Sequence, residues 1–307
     1  MQMLTMKLFI LIFLLFTIQI FSHHTGGGGD FIQPNNNRFV DPFTGKREKP
    51  NDYFLFNYEM LKGERENRNI HTSTIFAEKI LADGMFGLNF SAPFIYYEQK
   101  NRSNAGRYGK PYIGVKYLPL FNVNSSYILI LETRLGFPSG KNGNRFAGGN
   151  YYVGITNFTA GYNLNRFTLV GKISGQFPLS GQGEIEKSEN DGIPYPLRPQ
   201  SDYFKKYLAG ETQLKKVSIY SIYLNIYLFK YLSIFGGFLY RTPYEGIEKT
   251  LATGDKIPLI FREASAGFSI PISEKYFFTI AYRQPLNRGK EFRIYESAYN
   301  ISFMMEY

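Results

Sequence analysis

The sequence has no cysteine, no tryptophan and three histidines in 307 residues. Without cysteine there are no disulfides, zinc-thiolate sites, iron–sulfur clusters or thiol nucleophiles. His23, His24 and His71 all lie near the N-terminus, which excludes a histidine base or ligand from the body of the fold. Beyond the first two dozen residues no apolar run approaches the ~18 residues that a membrane-spanning helix needs. What the chain does have is 29 Phe, 25 Tyr and 30 Gly, with 35 Lys plus Arg against 25 Asp plus Glu. That composition fits a bacterial outer-membrane barrel better than a cytosolic enzyme.

The N-terminus has the layout of a secretory signal peptide: Lys7, an apolar stretch over 8–21 and the small residue Ser22. Fourteen helical residues reach only about 21 Å, too short for a bilayer core of about 30 Å. The expected divisions are a signal peptide over 1–22, a Gly- and Asn-rich segment over 23–51 and a barrel over 52–307. The middle segment is either a periplasmic tail or a plug folded into the barrel. Its Gly26–Gly29 and Asn35–Asn37 runs resist ordering and favour the tail.

From residue 52 onward a period of two repeats in segments of about ten residues, the pattern of a transmembrane strand. In 217–229, Tyr220, Ile222, Leu224, Ile226 and Leu228 share one face while Ser221 and Asn225 take the other. In 126–138, Leu129, Leu131 and Leu135 oppose Glu132 and Arg134. At the C-terminus Tyr295, Tyr299, Ile301, Phe303, Met305 and Tyr307 alternate with Glu296, Asn300, Ser302 and Glu306. A closing strand of this kind resembles the signal that outer-membrane assembly machinery recognises.

Connections in such barrels alternate between short periplasmic turns and long external loops, with an even strand number. Short turns are expected at 83–84, 122–125, 163–165, 229–231 and 271–275. Long loops are expected at 61–71, 99–108, 139–148, 178–216, 242–256 and 285–293. The stretch 202–214 must then belong to the largest loop, since a strand there would place two short turns in succession. The result is an all-β, antiparallel barrel of about twelve strands. Its least certain strand is 72–81, whose faces are poorly sorted and which suits a helix as well.

The faces assign Glu59, Lys116, Glu132, Arg134, Lys172, Arg241, Glu263, Arg283 and Glu296 to the lumen. Their slight basic excess gives a mild anion bias if they tune a pore, and none if they only pair with one another. No catalytic residue and no cofactor is expected. His23 and His24 could hold Cu²⁺ or Ni²⁺ beside a processed N-terminus. Lys and Arg are dispersed, which argues against nucleic acid and for anionic lipopolysaccharide and membrane lipid as partners. The chain is therefore expected in the bacterial outer membrane.

One stretch carries a family likeness. Gly114-Val115-Lys116-Tyr117, then Leu135-Gly136-Phe137-Pro138-Ser139-Gly140, then Gly148-Gly149-Asn150-Tyr151, resembles the outer-membrane family named for the MetA pathway of phenol degradation. That family looks related to FadL-type transporters of hydrophobic compounds. Its members usually have Lys-Pro-Thr-Gly where this chain has Phe-Pro-Ser-Gly, and Ala281-Tyr282-Arg283-Gln284-Pro285-Leu286 is also similar. The resemblance implies passive passage of small molecules, apolar or aromatic ones among them, and transfers no functional residue. Two other functions remain open: an adhesin or receptor acting through the long loops, and a component linked to metal export.

Overall fold

The computed structural model describes residues 40–41, 43–62, 68–99, 105–119, 126–139, 152–164, 166–180, 216–229, 232–244, 248–250, 256–258, 260–273, 275–287 and 295–307. Its strands are β1 (Tyr53–Lys62), β2 (Arg68–Leu81), β3 (Phe86–Gln99), β4 (Ala105–Tyr108), β5 (Tyr112–Tyr117), β6 (Tyr127–Gly136), β7 (Tyr152–Leu164) and β8 (Phe167–Ser180). They continue as β9 (Val217–Phe229), β10 (Leu232–Pro243), β11 (Glu248–Thr250), β12 (Lys256–Pro258), β13 (Phe261–Pro271), β14 (Tyr276–Pro285) and β15 (Ser297–Glu306).

Thirteen of these form one antiparallel sheet. Both β4 and β5 pair with β3 and share one stave, so the sheet has twelve staves. Pairing of β1 with β15 and of β2 with β3 closes the ring, leaving no edge for lipid to meet. β11 and β12 form a separate hairpin in the loop between β10 and β13. The stretch 202–214, assigned above to a loop, lies outside the described residues.

Alternation sets the two faces. On β1, Phe54 and Phe56 are exposed outward while Tyr53 and Leu55 are buried inside. On β15, Tyr299, Ile301 and Phe303 face out while Asn300, Ser302 and Met304 are buried. The outward belt, with Ile75, Val115, Leu131, Phe158, Ile173 and Ile222, is an apolar band around the molecule. Aromatic pairs flank it: Phe54–Tyr307, Phe86–Tyr117 and Tyr276–Phe303 at the end holding the short turns, Phe94–Tyr108, Tyr220–Tyr240 and Tyr282–Tyr299 at the other. Burying so large an apolar band requires lipid, and the girdles mark its two interfaces.

The segment 72–81 is strand along its whole length, within β2, as the twelve-strand count required. Its faces looked mixed because Phe76 points inward, where it is fully buried, and Lys79 points outward at the rim, where it pairs with Asp52. Two sequence expectations change: the end of the loop expected at 99–108 is the strand β4, paired to β3, and β2 begins at Arg68, so His71 belongs to the barrel wall and not to the preceding loop. Its Nδ1 lies 2.6 Å from the Tyr58 hydroxyl and its Nε2 3.2 Å from Glu98. The body of the fold therefore does hold one histidine.

Candidate functional site in the barrel lumen

A strand with one lipid face must put its polar residues inside, and there each needs a partner. At the end holding the short turns, two apolar clusters narrow the interior. Tyr53, Leu55, Phe76, Phe277 and Met304 form one; Leu118, Ile128, Ile130, Val170 and Tyr223 form the other.

Between these walls lies the chain that precedes β1. A bridge joins Val40 to Arg47, and the Asp41 amide donates to the Lys46 carbonyl at 2.9 Å, making a tight hairpin. The Asp41 carboxylate accepts from the Phe43 amide at 2.8 Å, and the Gly45 amide donates to the Asp41 carbonyl at 2.7 Å. Gly45 sits at φ +70°, and a Cβ there would stand 2.6 Å from the Ser302 hydroxyl of β15. Only glycine meets both demands, the left-handed backbone and the close approach.

The hairpin's charges meet the wall's charges. Lys172 on β8 lies 3.3 Å from both Asp41 and Glu48, and the Tyr223 hydroxyl donates to Glu48 at 2.8 Å. Arg47 bonds Glu306 at 2.7 Å and stacks 4.4 Å above the Phe277 ring. Lys116 donates to the Arg47 carbonyl at 2.6 Å and pairs with Glu78 at 2.8 Å. Burial, with Arg134, Lys172 and Lys116 nearby, holds the Lys46 ammonium well below its ordinary pKa, against an opposing pull from Glu132.

The residues expected in the lumen separate into groups. Lys172 and Lys116 bind the hairpin as described. Glu132 accepts from Asn89 at 3.0 Å and Asn157 at 2.6 Å, with Arg134 at 4.0 Å. Arg134 also donates to Ser91 and lies over the Tyr112 ring. Arg283 joins Glu59 at 2.5 Å and Glu263 at 3.5 Å. Arg241 stands opposite Phe261 in the register of β10 with β13, half-buried. Glu296 stays apart at the rim, tied by its backbone to Gln284 and Lys62.

Asp41, Lys46, Arg47 and Glu48, together with Glu78 and Tyr223, were not singled out in the sequence, and Glu306 only as a member of the polar face of the last strand. The upstream Gly and Asn runs masked the signal for the hairpin. Yet Phe43-Thr44-Gly45-Lys46-Arg47-Glu48 has a turn glycine, an aromatic and charges of both signs. His23 and His24 lie outside the described residues. Among the described residues no group of three or more His, Cys, Asp or Glu side chains could hold a metal ion.

No family model matches the sequence, and no curated protein matches it. Solved structures do match. An outer membrane channel from Pseudomonas putida F1 aligns at TM-score 0.58 and 9% identity, over 87% of this chain and 100% of that one. The NanC porin aligns at TM-score 0.52 and 7% identity, over 83% and 100%. Outer membrane phospholipase A from Escherichia coli aligns at TM-score 0.41 and 10% identity, over 84% and 91%. At these identities the first two likenesses show the fold, which is that of the bacterial outer-membrane β-barrels.

Proposed function

We propose that the chain is an outer-membrane channel through which small molecules pass passively, with the hairpin of residues 40–50 as its removable constriction. The observation that carries this reading is the chemistry of the contact between hairpin and wall. The hairpin is held by ion pairs and hydrogen bonds to Lys172, Lys116, Glu306 and Tyr223, with the buried Phe43 ring as an apolar contact beside them. Water can replace such bonds at modest net cost, whereas a structural core would not release them.

The resemblance to the MetA-pathway family extends the proposal to aromatic solutes, and the polar interior favours those that also form hydrogen bonds. No catalytic step is assigned to the lumen. Selectivity is expected to be weak, because the acidic Glu78, Glu306, Asp41 and Glu48 join the basic Lys46, Arg47 and Lys49 in the lumen, and the two signs nearly balance. Planar-bilayer recording tests the proposal: well-folded protein that passes no current, with or without the hairpin, would sink it.

A filled interior also suits the second reading, a closed barrel that binds partners through its external loops. Deleting residues 40–50 separates the two. A channel gains conductance from the deletion, and a closed receptor keeps its ligand binding without gaining current.

A further inference from the structure

On the side of the hairpin facing the long loops, Arg283 is surrounded by an unusual set of groups. Its guanidinium bonds Glu59 and Glu263, lies 5.7 Å above the Tyr295 ring and donates to the Phe43 carbonyl of the hairpin at 3.5 Å. Asn300 donates to that same carbonyl at 3.3 Å. Ser265 stands directly across from Arg283 in the β13–β14 register, on the same inward face.

Several buried polar atoms of these residues make no hydrogen bond: the Ser265 hydroxyl, the Tyr295 hydroxyl and the Asn300 carbonyl oxygen, and also Arg283 Nε and the Glu263 oxygen that stands 3.5 Å from it. Ser265, Tyr295, Glu263 and Asn300 are 5%, 3%, 3% and 4% exposed. Buried polar groups are ordinarily paired, so orphans on four residues of one neighbourhood need an explanation. The Asn300 oxygen can only accept, and the two hydroxyls can accept as well. Two carboxylates, Glu59 and Glu263, face the one guanidinium. The Tyr295 ring packs 5.7 Å from the Phe261 ring, which adds an aromatic wall.

We propose that this cluster is a binding site for a small organic ammonium ion, with Glu263, Asn300 and the Ser265 and Tyr295 hydroxyls accepting from the ammonium and the Tyr295 and Phe261 rings enclosing its apolar part. An ammonium supplies donors to the Asn300 oxygen and the two hydroxyls, and a second positive charge facing Glu59 and Glu263. A carboxylate-bearing solute would supply neither and would face Glu59 and Glu263. Because Arg283 and Asn300 both hold the Phe43 carbonyl, occupation of the site also weakens the hairpin's grip. The site lies in the passage proposed above, so it rests on the channel reading for its role but not for its binding.

The test uses the full processed chain in detergent and in planar bilayers, with n-propylammonium chloride as probe and n-propanol and sodium propionate as matched controls. Isothermal titration should show saturable binding of the ammonium, with at least tenfold weaker binding in Glu263→Gln and about threefold in Tyr295→Phe. The two controls should show none. In bilayers the same ammonium should change open probability in wild type and leave Glu263→Gln unaffected. Folding of each variant is checked by heat-modifiable migration, and Ser265→Ala serves as the conservative substitute if Glu263→Gln fails to fold. Binding of propionate as tight as that of the ammonium, or ammonium binding indifferent to Tyr295→Phe and Ser265→Ala, overturns the site. Binding that follows the variants in a protein passing no current keeps the site and sinks the channel.

Discussion

Single residues decide how firmly the hairpin sits. Gly45 is at once left-handed and pressed against Ser302. Alanine there adds about 1–2 kcal/mol of backbone cost, before Ser302 moves to make room. Gly45→Ala should therefore raise the open probability severalfold in bilayer recordings while leaving the barrel's gel mobility unchanged. Glu48 is the second such position, since it takes Lys172 and the Tyr223 hydroxyl together. Glu48→Gln removes the charge but keeps the shape, and should weaken hairpin docking by about 1.5–3 kcal/mol, the range for hydrogen bonds to charged groups. Limited proteolysis of the refolded protein reads this directly: cleavage near residues 40–50 should be faster in the variant.

At the scale of elements, the hairpin's docking depends on pH through Lys46. Its pKa in the docked hairpin lies well below the ordinary 10.5, because burial and nearby cations disfavour the charge. The undocked hairpin therefore binds the proton more readily, and docking is strongest above pH 10.5 and weakens as pH falls toward the docked pKa. Open probability should thus be lower at alkaline pH than at neutral pH, and Lys46→Met should flatten that dependence. The staves themselves were legible in the sequence, because each lipid-facing residue must be apolar and its neighbour need not be, as in Tyr220–Asn225. β2 was less legible, since Phe76 faces an apolar cluster inside the barrel and Lys79 reaches the aqueous rim. The hairpin was hidden for a different reason. Lys172, Lys116 and Glu306 find its Asp41, Glu48 and Arg47 across 69 to 259 residues of chain, and alternation along a strand says nothing about what fills the space between strands. Its loss as a unit should show accordingly. Deletion of residues 40–50 should raise single-channel conductance and lower thermal stability, because Lys172 and Lys116 lose partners that water replaces only in part.

For the whole molecule the governing fact is an outward surface that is apolar in the middle and aromatic at both ends. Ile222 is 50% exposed near the centre of β9, whereas Tyr276 is 39% exposed at the turn-side end of β14. In water both positions would tolerate arginine equally, since a solvated side chain on a strand face costs little. In a bilayer the two differ by depth. Arginine near the midplane costs about 2–4 kcal/mol, and near an interface about 0–1 kcal/mol, where its long stem lets the charge reach the headgroups. Ile222→Arg should therefore lower the urea midpoint of folding into lipid vesicles clearly, and Tyr276→Arg only slightly. In each case the fraction of folded protein is measured by heat-modifiable migration on a gel. Equal effects at the two sites would mean that the belt does not face lipid, and the barrel would then have to hide its apolar band against protein instead. Unequal effects in the stated order would fix the membrane's position on the barrel, and with it the hairpin on the side of the short turns and Arg283 on the side of the long loops.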